Sequence, residues 1–313
     1  MPKEFGHQLL AENLFSRIRS SASSAQADMI AGQLWACCSG SLAPDTPYYD
    51  LPDPTYLWLP RSAVSLARQL HRASGSAIYS VAMLLLARLR GRGPEAAANL
   101  AFVLGFLSHL AVDMTFHPLI AQFVAERPPD SGGERAEHYR LESVLDCLLY
   151  EQCGKSLPET SLWRATRAGS GQSARLIRFY AGGLTAFCDW SESELYYALR
   201  RAFCKQLWLN CLFQKRGFFT CSGYLNRFFH GRLEVYHALA HPPLLGQKEE
   251  AGLGPLWRWA VQCWRAVPLN QVAAESLRRA EFLARTALRY QRKEISRKAA
   301  MESFTQVTAS SGL

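Results

Sequence analysis

No Cys-x-x-Cys pair occurs anywhere in the 313-residue chain, which removes zinc ribbons and thioredoxin-like redox motifs from consideration. The nine cysteines are odd in number and sit mostly in apolar helical contexts, a usage that fits buried thiols in a reducing cytosol better than a disulfide framework. No uncharged apolar run reaches the roughly 20 residues that a membrane-spanning helix requires; the longest, 74–87 and 99–112, stop short. The opening Met-Pro-Lys-Glu-Phe-Gly-His lacks the apolar segment and small-residue cleavage site of a secretory signal. The expectation is a soluble, cytoplasmic protein that meets membranes at most from their surface. Charged residues are sparse at 19%, but with 49% hydrophobic residues the chain has ample material for a core, which excludes a disordered or fibrous protein.

Internal repeats are absent, and runs of alternating β-branched residues are scarce. Apolar residues recur instead with a period near 3.6, so the predicted fold class is all-α, a multi-helical core with additional C-terminal helices. The spacing predicts helices over 5–20, 24–37, 60–74, 76–91, 95–117, 134–152, 172–187, 190–229 with a break, 255–267 and 270–303. Ser39–Thr55, with four prolines, reads as a long loop of the kind that carries function. Residues 1–154 are predicted to form one helical, metal-binding domain. Residues 155–313 form a basic helical region, packed on the same core or separate from it.

Charge divides along the same line. Residues 1–150 carry 12 Lys/Arg and 14 Asp/Glu, a net −2, whereas residues 151–313 carry 23 and 12, a net +11. Five of the eight histidines fall in the near-neutral first half. This asymmetry points to a chemical site beside a surface that attracts anions. The segment around 276–298 is basic and amphipathic, and a solvated face is its simplest reading.

One stretch carries chemistry. In Ser108-His109-Leu110-Ala111-Val112-Asp113-Met114-Thr115-Phe116-His117-Pro118, His109, Asp113 and His117 stand at successive i+4 positions and so share one face of an apolar helix. A buried carboxylate without a partner is costly, and a metal ion answers that need. His138 and Glu142 repeat the i+4 spacing on the next helix. Five oxygen and nitrogen ligands exceed what one catalytic zinc takes, so more than one divalent ion is expected.

In order along the chain, these residues and three others resemble the zinc-dependent phospholipases C and the related single-strand-specific zinc nucleases. The family pattern runs from an early histidine through a loop aspartate, a lone histidine and a helical His-x-x-x-Asp with a following histidine to a final His-x-x-x-Glu or His-x-x-x-Asp. His7, Asp45 in Ala43-Pro44-Asp45, His71, His109, Asp113, His117, His138 and Glu142 supply each member. The resemblance spans roughly residues 3–150. It implies that Asp45, His71, His109 and Asp113 hold one zinc, His117, His138 and Glu142 a second, and His7 with a shared Asp113 a third. Secreted relatives also use the amine of an N-terminal tryptophan; this chain has none, and loss of Met1 would present Pro2 instead.

The implied activity is hydrolysis of a phosphodiester by metal-activated water, with Asp45 as general base or orienting ligand. Phospholipid is the expected substrate, because Gly6-His7, Pro44-Asp45 and the His109–Pro118 helix look most like the bacterial phospholipase branch. A nuclease-like activity on nucleic acid and a non-catalytic, metal-stabilised protein that binds membranes or partners are the alternatives. The chain contains no adjacent His-Asp pair, which excludes the HD-domain phosphohydrolases. His230, His237 and His241 also show ligand-like spacing, but lie outside the resemblance and are left out of the site. Asp146, four residues after Glu142, reads equally as an orienting partner or as a solvated residue.

Overall fold

A computed structural model describes residues 4–21, 30–50, 63–72, 76–89, 91, 93–129, 133–155, 157, 162–167, 170–243 and 252–309. Among the described residues there are fourteen α-helices and no strand, as the apolar period predicts. They are α1 (Glu4–Ser21), α2 (Leu34–Leu42), α3 (Val64–Arg72), α4 (Ser76–Arg88), α5 (Pro94–Ala125), α6 (Glu134–Gln152), α7 (Leu162–Ala165), α8 (Gly171–Leu184), α9 (Glu192–Phe213), α10 (Arg216–Phe228), α11 (Glu234–Ala238), α12 (Pro255–Arg265), α13 (Leu269–Gln291) and α14 (Arg297–Ala309).

Helix α5 is the axle around which the others pack. By length and composition it could cross a membrane, with a mean hydropathy of 1.5 over its most apolar window, yet 83% of that window is buried inside the protein. Helices that are apolar all round belong in the middle of a fold, and α1, α2, α6 and α13 wrap this one. One contiguous hydrophobic cluster takes Phe5 and Leu14 from α1, Phe106 and Phe116 from α5, Trp264 from α12 and Leu283 from α13. Both sides of residue 155 therefore feed the same core.

The crossing of α2 over α5 depends on two glycines. A Cβ on Gly40 would lie 1.9 Å from the Phe102 carbonyl oxygen, and one on Gly105 would lie 1.9 Å from the Cys37 carbonyl oxygen. The bare Cα atoms let the two backbones touch. This contact also explains why α2 runs to Leu42, four residues into the stretch expected to be loop: Ser39–Leu42 bury against α5 as helix.

A second departure occurs at Pro118, where the expected helix stopped and α5 continues to Ala125. Proline removes the amide that would bond the carbonyl four residues back, here that of Met114. The guanidinium of Arg279 on α13 faces that carbonyl at 3.5 Å and supplies the missing donor. Elsewhere, Gln214 and Lys215 divide the long 190–229 helix into α9 and α10. Lys293, at φ +62°, helps separate α13 from α14. Of the nine cysteines, none in a disulfide, only Cys37, Cys38 and Cys147 are buried, so burial is less general than their apolar contexts suggested.

Candidate metal centre

The ligand stripe of α5 meets α1 on one side and α6 on the other. His7 from α1 stacks flat on His109, with ring centroids 3.9 Å apart and planes 12° from parallel. Asp113 lies between them, its Oδ1 3.4 Å from His7 Nε2 and its Oδ2 3.1 Å from His109 Nε2. Asp45, delivered by the turn that follows α2, brings Oδ1 to 3.9 Å from His109 Nε2. Ligand atoms of His7, Asp45 and His109 all lie within 4.8 Å of one another, and all three residues are buried.

Close packing at the two glycines sets the orientation of His109. It brings the Ser41 carbonyl to 2.8 Å from His109 Nδ1, so Nδ1–H donates there and the Nε2 lone pair faces the two aspartates. His7 is more telling. Only 1% of its surface is exposed, and neither ring nitrogen makes a hydrogen bond among the described residues. Buried polar atoms are normally satisfied, and here the adjoining groups are carboxylates and imidazoles, the donor set that zinc takes. These residues fit a divalent cation.

Electrostatics keep the donors in their ligating forms. Burial holds His7 well below the ordinary imidazole value and pushes His117 down to about 3, so both rings are neutral at neutral pH. Burial alone would raise the Asp113 carboxyl, but positive charge at the His109 and His7 positions outweighs it and holds the group below the usual carboxylate range, the sign of charge that a bound cation supplies.

The second group adjoins the first. His138 Nε2 lies 2.8 Å from Glu142 Oε1, and the His117 and His138 rings are 5.6 Å apart. His117 stands within electrostatic reach of both Asp113 and Glu142, which joins the two groups. His71 lies on α3, but its side chain falls outside the described residues, as does Pro2. The structure thus brings together His7, Asp45, His109 and Asp113, with His117, His138 and Glu142 alongside.

Several supporting residues were not legible in the sequence. The turn carrying Asp45 is tied to both α1 and α9: Tyr49 donates to Glu4, Thr46 donates to Gln206 at 2.7 Å, and Asn210 approaches the Tyr49 hydroxyl at 3.5 Å. Asp50 closes the turn, accepting from Ala63 N and pairing with Arg201 of α9. Nothing local to Asp45 signals partners 160 residues away.

Asp146 proves to be fully buried rather than solvated. Its carboxylate accepts from the backbone N–H groups of Gly6, at 2.9 Å, and Phe5, at 3.3 Å, and so anchors the first turn of α1 beside His7. His241 Nε2 lies 3.3 Å from the same carboxylate. Asp146→Ala should leave these two amides without an acceptor, costing about 1–3 kcal/mol and weakening zinc binding roughly tenfold through His7. Urea denaturation and zinc titration check this, with Asp146→Asn expected to recover part of both losses. Among the other excluded histidines, His230 is exposed, while His237 accepts from Trp257 at 3.1 Å and contacts Ser222 at 3.0 Å.

Residues 1–194 match the family model described as zinc dependent phospholipase C, well over half of the chain. The chain belongs to the zinc-dependent phospholipase C family. The match extends some 40 residues beyond the 3–150 span of the resemblance, because the added part carries packing and no ligands. Ser39 donates to the Thr166 carbonyl, and Phe179 and Tyr180 of α8 pack against Phe102 of α5. A reading built on ligands stops at Glu142. No curated protein and no solved structure is significantly similar to the chain.

Proposed function

We propose that this family member hydrolyses the phosphodiester bond of phospholipids with two or three zinc ions as cofactors. The observation that carries the reading is the buried, unsatisfied His7 imidazole stacked on His109 about a shared Asp113. Zinc, when bound, supplies Lewis acidity toward a phosphate oxygen and lowers the pKa of a coordinated water to ~7.

The chain's own residues supply the rest. Asp113 and the Ser41 carbonyl fix His109 so that Nε2 faces inward, and His7 completes that wall. Asp45 accepts the proton of the attacking water; it comes from a turn rather than a helix, so its carboxylate can follow a moving proton without distorting the scaffold. Tyr48 stands beside it, half-buried, with its phenol pushed up to about 12 first by burial and then by the charge of Asp45. It therefore remains protonated at neutral pH and is placed to donate to a phosphate oxygen. Lipid is preferred to nucleic acid on the family's own substrate class.

Asp45→Asn tests this role. Turnover of a phosphodiester reporter should fall by about 10²–10⁴ while the melting temperature changes little, since the turn is also held by Thr46, Tyr49 and Asp50. Unchanged turnover would remove Asp45 from the mechanism.

A further inference from the structure

Helix α10 is inverted from Ser222 onward: Phe219, a turn earlier, still packs inward on Trp257 and His237. Ser222 and Asn226 are its only buried residues, whereas Tyr224 is 67% exposed, Leu225 45% and Phe228 75%. Surface helices ordinarily turn their apolar face inward, so this orientation must be enforced, and the structure shows how. Asn226 donates to Glu234, accepts from Leu233 N at 3.0 Å and, through its carbonyl, from Gly231 N at 2.9 Å. Glu234 in turn takes the buried guanidinium of Arg140 from α6, which also pairs with Glu137 and lies over the Trp257 ring. Ser222 and His237 bond to each other inside. These contacts lock α10, the turn through His230 and Gly231 at positive φ, and α11 into one hairpin with its polar side inward.

Its outer side gathers Tyr224, Phe228, Phe229 and Tyr236, all at least 44% exposed, and the neighbouring α9 adds Trp208 at 63%. Between Glu194 and Glu234 the chain has no acidic residue and seven basic ones. Of these, Lys215, Arg216, Arg227 and Arg232 are exposed. The arginines of α13 differ. Arg278, Arg279 and Arg285 pair with Glu275 and Glu281 on the same helix, so the most basic helix in the sequence presents little uncompensated charge. Rigid aromatic side chains ringed by unopposed cations match the headgroup region of an anionic bilayer. There the rings enter the interface and the guanidiniums meet phosphates.

We propose that the α10–α11 hairpin, with Trp208 beside it, is the surface by which this protein docks on anionic phospholipid bilayers. The proposal deepens the phospholipase reading by naming where the protein meets aggregated substrate, and its test is separable from catalysis. Full-length protein is sedimented with phosphatidylcholine vesicles with and without phosphatidylglycerol, and the change in tryptophan emission on binding is compared with that of Trp208→Phe, since the chain has eight tryptophans. Turnover of a soluble phosphodiester reporter is measured in parallel.

Wild type should bind the phosphatidylglycerol vesicles more tightly. The Tyr224→Ser/Phe228→Ser variant should lose at least about tenfold in affinity. Arg227→Gln/Arg232→Gln should lose roughly fivefold per charge, with a weaker salt dependence. Both variants should keep soluble-substrate turnover and wild-type melting temperature, since the altered side chains contact water. Absence of vesicle binding, or equal binding by both variants, overturns the proposal. So does a wild-type dimer that the serine variant dissolves, or binding of a single-stranded oligonucleotide in place of vesicles. Vesicle binding by a protein without turnover would sink the catalytic reading and leave the docking surface standing.

Discussion

Asp113→Asn is expected to remove most of the zinc-dependent stabilisation and reduce phosphodiester turnover further than any other single change. Its two carboxylate oxygens face different imidazoles, His7 at 3.4 Å and His109 at 3.1 Å. An asparagine keeps the shape but turns one oxygen into an N–H₂ donor, which would bond the lone pair of one imidazole and occupy a position meant for a cation. The metal-free fold should therefore survive. What disappears is the contribution of bound ions, about 4 kcal/mol when free zinc exceeds its dissociation constant a thousandfold. Zinc affinity should fall by more than the 10–100-fold that loss of a ligand's supporting partner costs. Melting curves with zinc and with chelator check both parts: the two curves should be well separated for wild type and lie much closer for the variant, which keeps only the His117, His138 and Glu142 group. Full zinc content in Asp113→Asn would contradict the shared position.

Gly105→Ala should destabilise the protein by about 3 kcal/mol or more, at or beyond the upper end of ordinary overpacking. The new methyl has no low-energy escape, because its nearest neighbours are backbone: the Cys37 carbonyl oxygen at 1.9 Å and Ser41 N at 2.9 Å. Separating α2 from α5 would also withdraw the Ser41 carbonyl from His109 Nδ1, so zinc affinity should drop with stability even though no ligand is altered. Gly217→Ala on α10 is the control, since a Cβ there meets nothing within 4 Å. It should be neutral or stabilise by up to about 1 kcal/mol. Urea denaturation of the chelated proteins, followed by zinc titration, reads both effects. Equal stability of the two variants would refute the close-approach account.

The contrast between these two positions marks what the sequence could carry. The stripe of His109, Asp113 and His117 was legible because i+4 spacing on a helix is a local rule, and the same rule found His138 and Glu142. His7 and Asp45 needed the ordered family pattern, since neither has a local signature; the fold then places both against His109. The Ser41 carbonyl, the acceptor role of Asp146 and the contribution of Gln206 and Asn210 were not legible. Each depends on a tertiary approach between segments far apart in the chain, and a carbonyl has no residue-type signal at all. Pro118 misled for a related reason: its local effect is to end a helix, and the donor that offsets it, Arg279, comes from α13. The period of α10 announced a helix, but only the hydrogen bonds of Asn226 and Ser222 decide which side faces inward.

The zinc centre itself is tested most directly by anomalous diffraction at the zinc absorption edge from crystals of the full-length protein. The account predicts strong anomalous peaks within bonding distance of His7, Asp113 and His109, and of His138 and Glu142. Crystals grown with zinc that show no peak there, with His7 still buried and its ring nitrogens facing only protein, would contradict it.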